Sequence, residues 1–385
     1  MIQDSLGIVA VLLAAIWFSI SMVNAFPWAK RASAIIWVIF TSALLSNLGL
    51  IPTDAPIYGS LVGFAVPFAV CVILFTVNLK DVRNAGGPML AAFALAGLGT
   101  VVGVVVASVV LEPLLSGILG PDSWKLAGPY TGTYIGGSLN FFALWTGLEI
   151  ENPDLFAAAN AVDNLTLFPL YMLWMTVPVF LAGRYAVAKR WIAPGSDGNH
   201  KDAEAPPLVP QDIAALFFLA VTVIAASGWI NANLIAPLIP GIPTILVVTT
   251  LALILGQFNF VRQLKGAWEV GDMAFLVFFA AVGALIDFYL AVVLSPALFA
   301  YVLVIMAVHF VVVFGLGWVF KMDLGVLTIA SVASKAGPAL VPPVAEALGI
   351  RHLVLPGIIV GMLGYAIGNY VGFGVARAVQ ALLGG

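Results

Sequence analysis

Residues 132–140 read Gly-Thr-Tyr-Ile-Gly-Gly-Ser-Leu-Asn, and residues 334–343 read Ser-Lys-Ala-Gly-Pro-Ala-Leu-Val-Pro-Pro. Both stretches are polar and rich in glycine or proline, and both interrupt a chain that is otherwise apolar. Of its 385 residues 62% are hydrophobic and 9% charged, with a mean hydropathy of +1.12, against about 25% charged in a soluble domain. Runs without Asp, Glu, Lys or Arg cover 5–29, 32–53, 55–79, 84–111, 213–261 and 288–320. Each is at least as long as the roughly 20 residues that a bilayer-spanning helix needs. The composition predicts an all-α polytopic protein of the lipid bilayer. A net charge of −3 gives no electrostatic footprint for nucleic acid. The single cysteine, Cys71, excludes a disulfide framework and a thiolate metal cluster.

Ten spans are expected, at 5–26, 33–50, 57–79, 88–112, 155–183, 211–234, 243–259, 272–290, 296–320 and 353–378. The two glycine-rich stretches, within 124–148 and 323–347, are left over, either as broken crossing helices or as re-entrant hairpins. Cytoplasmic loops collect Lys and Arg, and this decides between the two. With two hairpins and the N-terminus outside, 12 of the 15 basic residues fall inside, Lys125 and Arg377 fall outside, and Lys335 lies in the second hairpin. With two full crossings, only Lys30, Arg31, Lys80, Arg83 and Arg351 remain inside. The hairpin arrangement is therefore expected, with both termini outside.

Five spans with a hairpin between the fourth and fifth then occur twice, at 1–183 and 211–385, joined by a cytoplasmic linker at 184–210. An odd number of spans inverts the second half. Asn164 in the fifth span matches Asn369 in the tenth, and Leu79-Lys80-Asp81 matches Leu285-Ile286-Asp287. Inverted repeats place a binding site near the midplane between discontinuous segments, so a secondary transporter is expected.

Non-helical backbone inside a bilayer is tolerated only when buried in protein or lining a cavity. Thr133, Gly136, Gly137, Ser138 and Asn140 at the first tip, and Ser334, Lys335 and Gly337 at the second, are the expected substrate ligands. Lys335 is placed either on a substrate carboxylate or where a coupling cation would sit, because a charge at bilayer depth is costly and calls for a partner. Asn160, Asp163 and Asn164 share one helix face of the fifth span, and with Asn369 they form the expected ion or proton site. Asp163 is also a natural counter-charge for Lys335. Asp287, Asn78 and His309 are weaker candidates, and the tryptophans read as interfacial anchors. No HExxH, Walker or GxSxG motif is present, so no enzyme, no cofactor and no metal beyond sodium are expected.

The two tips, one in each half, resemble those of the bacterial membrane family called domain of unknown function 819. That family is grouped with glutamate:sodium symporters, bile acid:sodium symporters and cation:proton antiporters. In the glutamate:sodium relatives glycine-rich loops of the two halves meet at the substrate, and Gly136-Gly137 fits the first loop. Lys335-Ala336-Gly337-Pro338 departs from the double glycine of the second. Asp163-Asn164 resembles the paired ion-binding residues of the antiporters. The resemblance implies a homodimer in the bacterial inner membrane working by an elevator movement. The leading expectation is sodium- or proton-coupled symport of a small, carboxylate-bearing organic anion or amino acid. The alternatives are a cation:proton antiporter using Asp163, or a non-transporting sensor or assembly subunit.

Overall fold

The computed structural model describes residues 2–26, 34–53, 55–181, 208–239, 242–286, 288–341, 344–345 and 348–384. It is helical, and there is no strand among the described residues. The first half runs α1 (Ser5–Ala25), α2 (Ala34–Asn47), α3 (Pro56–Leu74), α4 (Gly87–Val110), α5 (Glu112–Leu119), α6 (Ala127–Gly136), α7 (Ser138–Gly147) and α8 (Pro153–Leu181). The second runs α9 (Pro210–Ile230), α10 (Thr244–Gly256), α11 (Asn259–Arg262), α12 (Ala267–Ala284), α13 (Phe288–Val319), α14 (Leu324–Ala336) and α15 (Val354–Leu383). Local chemistry sets several starts. The Asp4 carboxylate accepts from the Gly7 amide at 2.7 Å and caps α1, and Asp323 does the same for Val326 of α14 at 2.9 Å.

Seven helices among the described residues are long and apolar enough to span a bilayer: α1, α3, α4, α9, α12, α13 and α15. Helix α8, at 29 residues, has the length as well. Two expected spans are shorter than expected. Helix α2 ends at Asn47, whose side-chain amide donates to the Ala43 and Ile286 carbonyls at 2.8 Å each. Helix α10 is 13 residues long, because Pro243 precedes it and its chain turns at Gly256-Gln257. The eighth span begins at Ala267 rather than 272, after Gly266 in the left-handed region (φ 85°). The following span begins at Phe288 rather than 296.

The first glycine-rich stretch is a helical hairpin. A Cβ built on Gly128 would meet Leu148, one on Gly132 would meet Leu144, and one on Gly136 would meet Asn140. These contacts close on the turn at Gly137-Ser138, as only antiparallel arms do. In the second stretch Gly325 lies beside Ile350, and Ile329 and Val341 pack on the same residue, Gly357, so the chain doubles back after Gly337. Hairpins, rather than crossing broken helices, are what the distribution of Lys and Arg called for.

The helices sort into two bundles. In one, α12 packs on α2 and α3, α1 on α2 and α12, and α10 on α3 and α9. In the other, α13 packs on α4 and α8, the first hairpin packs on α15 and α4, and α14 packs on α4, α15 and α6. Glycines set the closest approach within the second bundle. A Cβ on Gly136 would stand 2.1 Å from the Gly364 carbonyl oxygen, and one on Gly364 would stand 2.2 Å from that of Ile135. Small residues that let backbones touch are the usual means of helix association where lipid removes the hydrophobic drive.

Candidate functional site

The turns of the two hairpins meet. Gly137 has φ 76° and ψ 178°, and Gly337 has φ 68° and ψ −171°, a region that only glycine occupies readily. A Cβ on Gly137 would be 3.9 Å from Gly337 Cα, and one on Gly337 would be 2.9 Å from the Tyr365 hydroxyl of α15. Ser138 opens α7 without a side-chain cap, and the Asn140 amide donates to the Gly137 carbonyl at 3.0 Å.

Behind the tips lies a buried ion pair. Lys335 Nζ is 2.6 Å from Asp163 Oδ1 of α8 and 3.4 Å from the centroid of the Tyr134 ring. Lys335 is 5% exposed and Asp163 8%, so both charges depend on each other for solvation. Thr166 Oγ1 donates to the Asp163 carbonyl at 2.9 Å, and Asn160 is buried one turn earlier.

A chain of hydrogen bonds runs through the bundle beside this pair. Trp174 Nε1 donates to Ser331 Oγ at 3.0 Å, and Ser331 Oγ lies 2.9 Å from His309 Nε2. His309 Nδ1 lies 3.1 Å from Thr100 Oγ1, which donates to the Tyr134 carbonyl at 3.1 Å, and Ser334 Oγ donates to that same carbonyl at 2.6 Å. The indole only donates and the carbonyl only accepts. Because Thr100 gives its hydrogen to the Tyr134 carbonyl, His309 Nδ1–H donates to Thr100, and in the neutral ring Ser331 then donates to Nε2. Both ring nitrogens of His309 are thus partnered, and the network ties α4, α6, α8, α13 and α14 together.

Between the bundles is a cavity of about 370 Å³ lined by Gly137, Ser138, Leu139 and Phe142 of the first hairpin, Ala336 of the second, and Tyr365. The opposite wall comes from α2, α3 and α12, including Ile73, Trp268, Asp272, Phe275 and Phe279. Of the eight expected substrate ligands, Gly137 and Ser138 line it, and Gly337 adjoins it at the turn. Thr133, Gly136, Asn140, Ser334 and Lys335 are turned into the bundle. Asn140 Nδ2 donates to the Gly364 carbonyl at 3.3 Å, Ser334 is bonded to Tyr134, and Lys335 is held by Asp163. Of the expected ion-site residues, Asn160 and Asp163 lie together on α8. The side chain of Asn164 falls outside the described residues. Asn369 donates to Thr249 Oγ1 of α10 at 3.0 Å, joining the two bundles. The buried oxygens Asn140 Oδ1 and Asn369 Oδ1 have no protein partner.

The sequence match covers the same span as these elements. Residues 7–382 match the family described as protein of unknown function, DUF819. The chain belongs to that family. It is also 29% identical over 375 residues to the uncharacterized membrane protein YjcL of Bacillus subtilis (strain 168), covering 93% of each chain.

In this DUF819 chain a second cavity of about 440 Å³ lies on the same inter-bundle seam, lined by Gly59 and Val62 at the start of α3, Val282 and Leu285 around the end of α12, and Trp145 and Glu149 near the hairpin base. The first cavity lies against the opposite ends of α3 and α12. Rings separate the two: Phe142 of α7 stands 4.7 Å from Phe279 and 5.6 Å from Phe278, with Phe156 5.3 Å from Phe278. Of the weaker candidates, Asn78 serves the turn after α3, bonding to the Lys80 amide and Asp81, His309 is enclosed in the network, and Asp287 lies outside the described residues. Asp272 and Trp268 are the site residues that sequence reading missed. Trp268, Asp272, Phe275 and Phe279 form one stripe at helical spacing, and an acid within an aromatic stripe is the signal they carried.

Proposed function

We propose that this membrane protein is a secondary active transporter whose solute sits between the two hairpin tips and the α2, α3 and α12 wall. The observation that carries the reading is the meeting of Gly137 and Gly337 at an inter-bundle cavity: two uncapped, non-helical turns converge on a space that neither bundle closes alone. Discontinuous segments of this kind at the junction of two bundles suit alternating access, with the hairpin-bearing bundle moving against the other. Apart from the short α5 and α11, each half has the same order of elements, three helices followed by a long helix, a hairpin and another long helix. That order supports inverted repeats at 1–183 and 211–385 around the 184–210 linker.

Asp163 is the proposed coupling residue. In this conformation Lys335 neutralises it, and sodium or a proton takes the place of the ammonium when the pair separates. The cavity faces the ends of α2, α3 and α12 adjoining Lys30-Arg31, Lys80-Arg83 and Arg262-Lys265, so by the positive-inside rule it opens to the cytoplasm, with both termini outside. We place the protein as a homodimer in the bacterial inner membrane and assign it no enzymatic activity. A second reading, cation:proton antiport through Asp163, is favoured by one observation: the Lys335 ammonium is engaged by Asp163 and does not reach the solute cavity.

Reconstitution tests the proposal. Purified protein in proteoliposomes under an imposed sodium or pH gradient is expected to accumulate a solute, and Asp163→Asn is expected to abolish coupled uptake. Cation-driven proton movement without any organic solute would select the antiporter. Absence of flux under both gradients, across amino acids, carboxylates and amines, would overturn transport.

A further inference from the structure

Resting on the reading of the 370 Å³ cavity as the solute site, we propose that its occupant is a small organic cation, an ammonium group on an apolar body, with Asp272 as its counter-charge. Asp272 is the one carboxylate or basic group among the described lining residues, and it is an exposed residue of that wall. Glu269, three residues before it on α12, adds to the negative potential and gives no compensation. The basic residues of the adjoining loops are not among the described lining residues, so at the wall itself an anionic solute would meet like charge. The buried cation behind the tips, Lys335, is already held by Asp163 and by the face of Tyr134.

The rest of the wall says which cation fits. A bare metal ion wants several oxygen ligands, whereas this wall offers the Asp272 carboxylate, the Ser138 hydroxyl and a phenol amid apolar side chains. Four of those side chains, Phe142, Trp268, Phe275 and Phe279, are aromatic. The Trp268 and Tyr365 rings stand 5.9 Å apart, and Phe142 lies 5.5 Å from Phe275 and 4.7 Å from Phe279. Ring faces attract an ammonium group, Trp most strongly, and they also bury its hydrocarbon part. The volume lies in the range of small-molecule sites. Asp272 and Trp268 belong to one bundle and the tips to the other, so a bound cation bridges the surfaces that transport must separate.

Calorimetric titration of the full-length protein in detergent with phenethylamine, phenethyltrimethylammonium and 3-phenylpropionate tests this. Both ammonium probes are expected to bind and the carboxylate to fail. Asp272→Asn is expected to weaken ammonium binding at least about tenfold, or about 1.4 kcal/mol, and Asp272→Glu to retain it. Circular dichroism and elution volume identify variants that remain folded. Binding of 3-phenylpropionate instead, no binding of either ammonium probe, or unchanged binding by folded Asp272→Asn would overturn the assignment. Flux is read separately. Ammonium binding without flux under any gradient leaves the assignment standing and removes transport, while flux of an anion without ammonium binding does the reverse.

Discussion

Lys335 Nζ and Asp163 Oδ1, 2.6 Å apart, join the second hairpin to α8 through the one buried ion pair among the described residues. Removing one partner strands a buried charge, at a cost of about 3–5 kcal/mol, whereas replacing both leaves no stranded charge and costs less. Lys335→Met and Asp163→Asn are therefore each expected to lower the unfolding temperature in detergent. The double variant should lie closer to wild type than the sum of the two, a coupling that a double-mutant cycle measures directly. Additive losses would mean that the two charges are solvated independently.

The turn glycines give a second prediction. Gly137 and Gly337 hold positive φ with extended ψ, and any other residue there incurs about 1–3 kcal/mol of backbone strain. Gly337→Ala adds a contact of 2.9 Å with the Tyr365 hydroxyl, while Gly137→Ala meets nothing closer than 3.4 Å. Both substitutions should destabilise, Gly337→Ala more than Gly137→Ala. Thermal unfolding followed by intrinsic fluorescence ranks them.

How far these features could be read without coordinates depends on the range of the interaction. The apolar runs and the basic loops are properties of contiguous sequence, so the helices, the two hairpins and their turn positions were legible. So was the pairing of Lys335 with Asp163, because two opposite charges in apolar surroundings need one another. Helix lengths were less so: hydropathy continues past Asn47 and Gly256, where hydrogen bonds and turns end α2 and α10. Asp272 was lost to a boundary, since starting the eighth span at 272 set that residue at an interface instead of inside the helix. The bonds of His309 were out of reach, because Thr100, Ser331 and Trp174 converge on it only after four separate elements have packed.

That network has a fixed polarity, which makes it testable. With Thr100 donating to the Tyr134 carbonyl, His309 Nδ1 must carry a hydrogen to bond Thr100. Nitrogen NMR of histidine-labelled protein should report a buried neutral imidazole protonated at Nδ1. Ser331→Ala leaves the Trp174 N–H and His309 Nε2 without partners and should cost about 1–3 kcal/mol for each group left unsatisfied. A ring protonated at Nε2 alone would show that Nδ1 does not donate to Thr100.

The rings between the two cavities give the last prediction. Phe142 is 2% exposed and stands against Phe278 and Phe279 at 5.6 and 4.7 Å, where the seam between the bundles narrows. Phe142→Ala removes the ring that the hairpin contributes to this barrier, at a cost of about 3–5 kcal/mol typical of a truncated core aromatic. It also joins the 370 and 440 Å³ spaces. In proteoliposomes the variant should dissipate an imposed sodium or proton gradient faster than wild type. Phe142→Leu keeps much of the volume and should remain tight. The pair separates a leak through the seam from a general loss of folding, because a misfolded protein would lose binding and coupled uptake as well as tightness. A gradient held equally well by wild type and a folded Phe142→Ala variant would show that the barrier lies elsewhere along the seam.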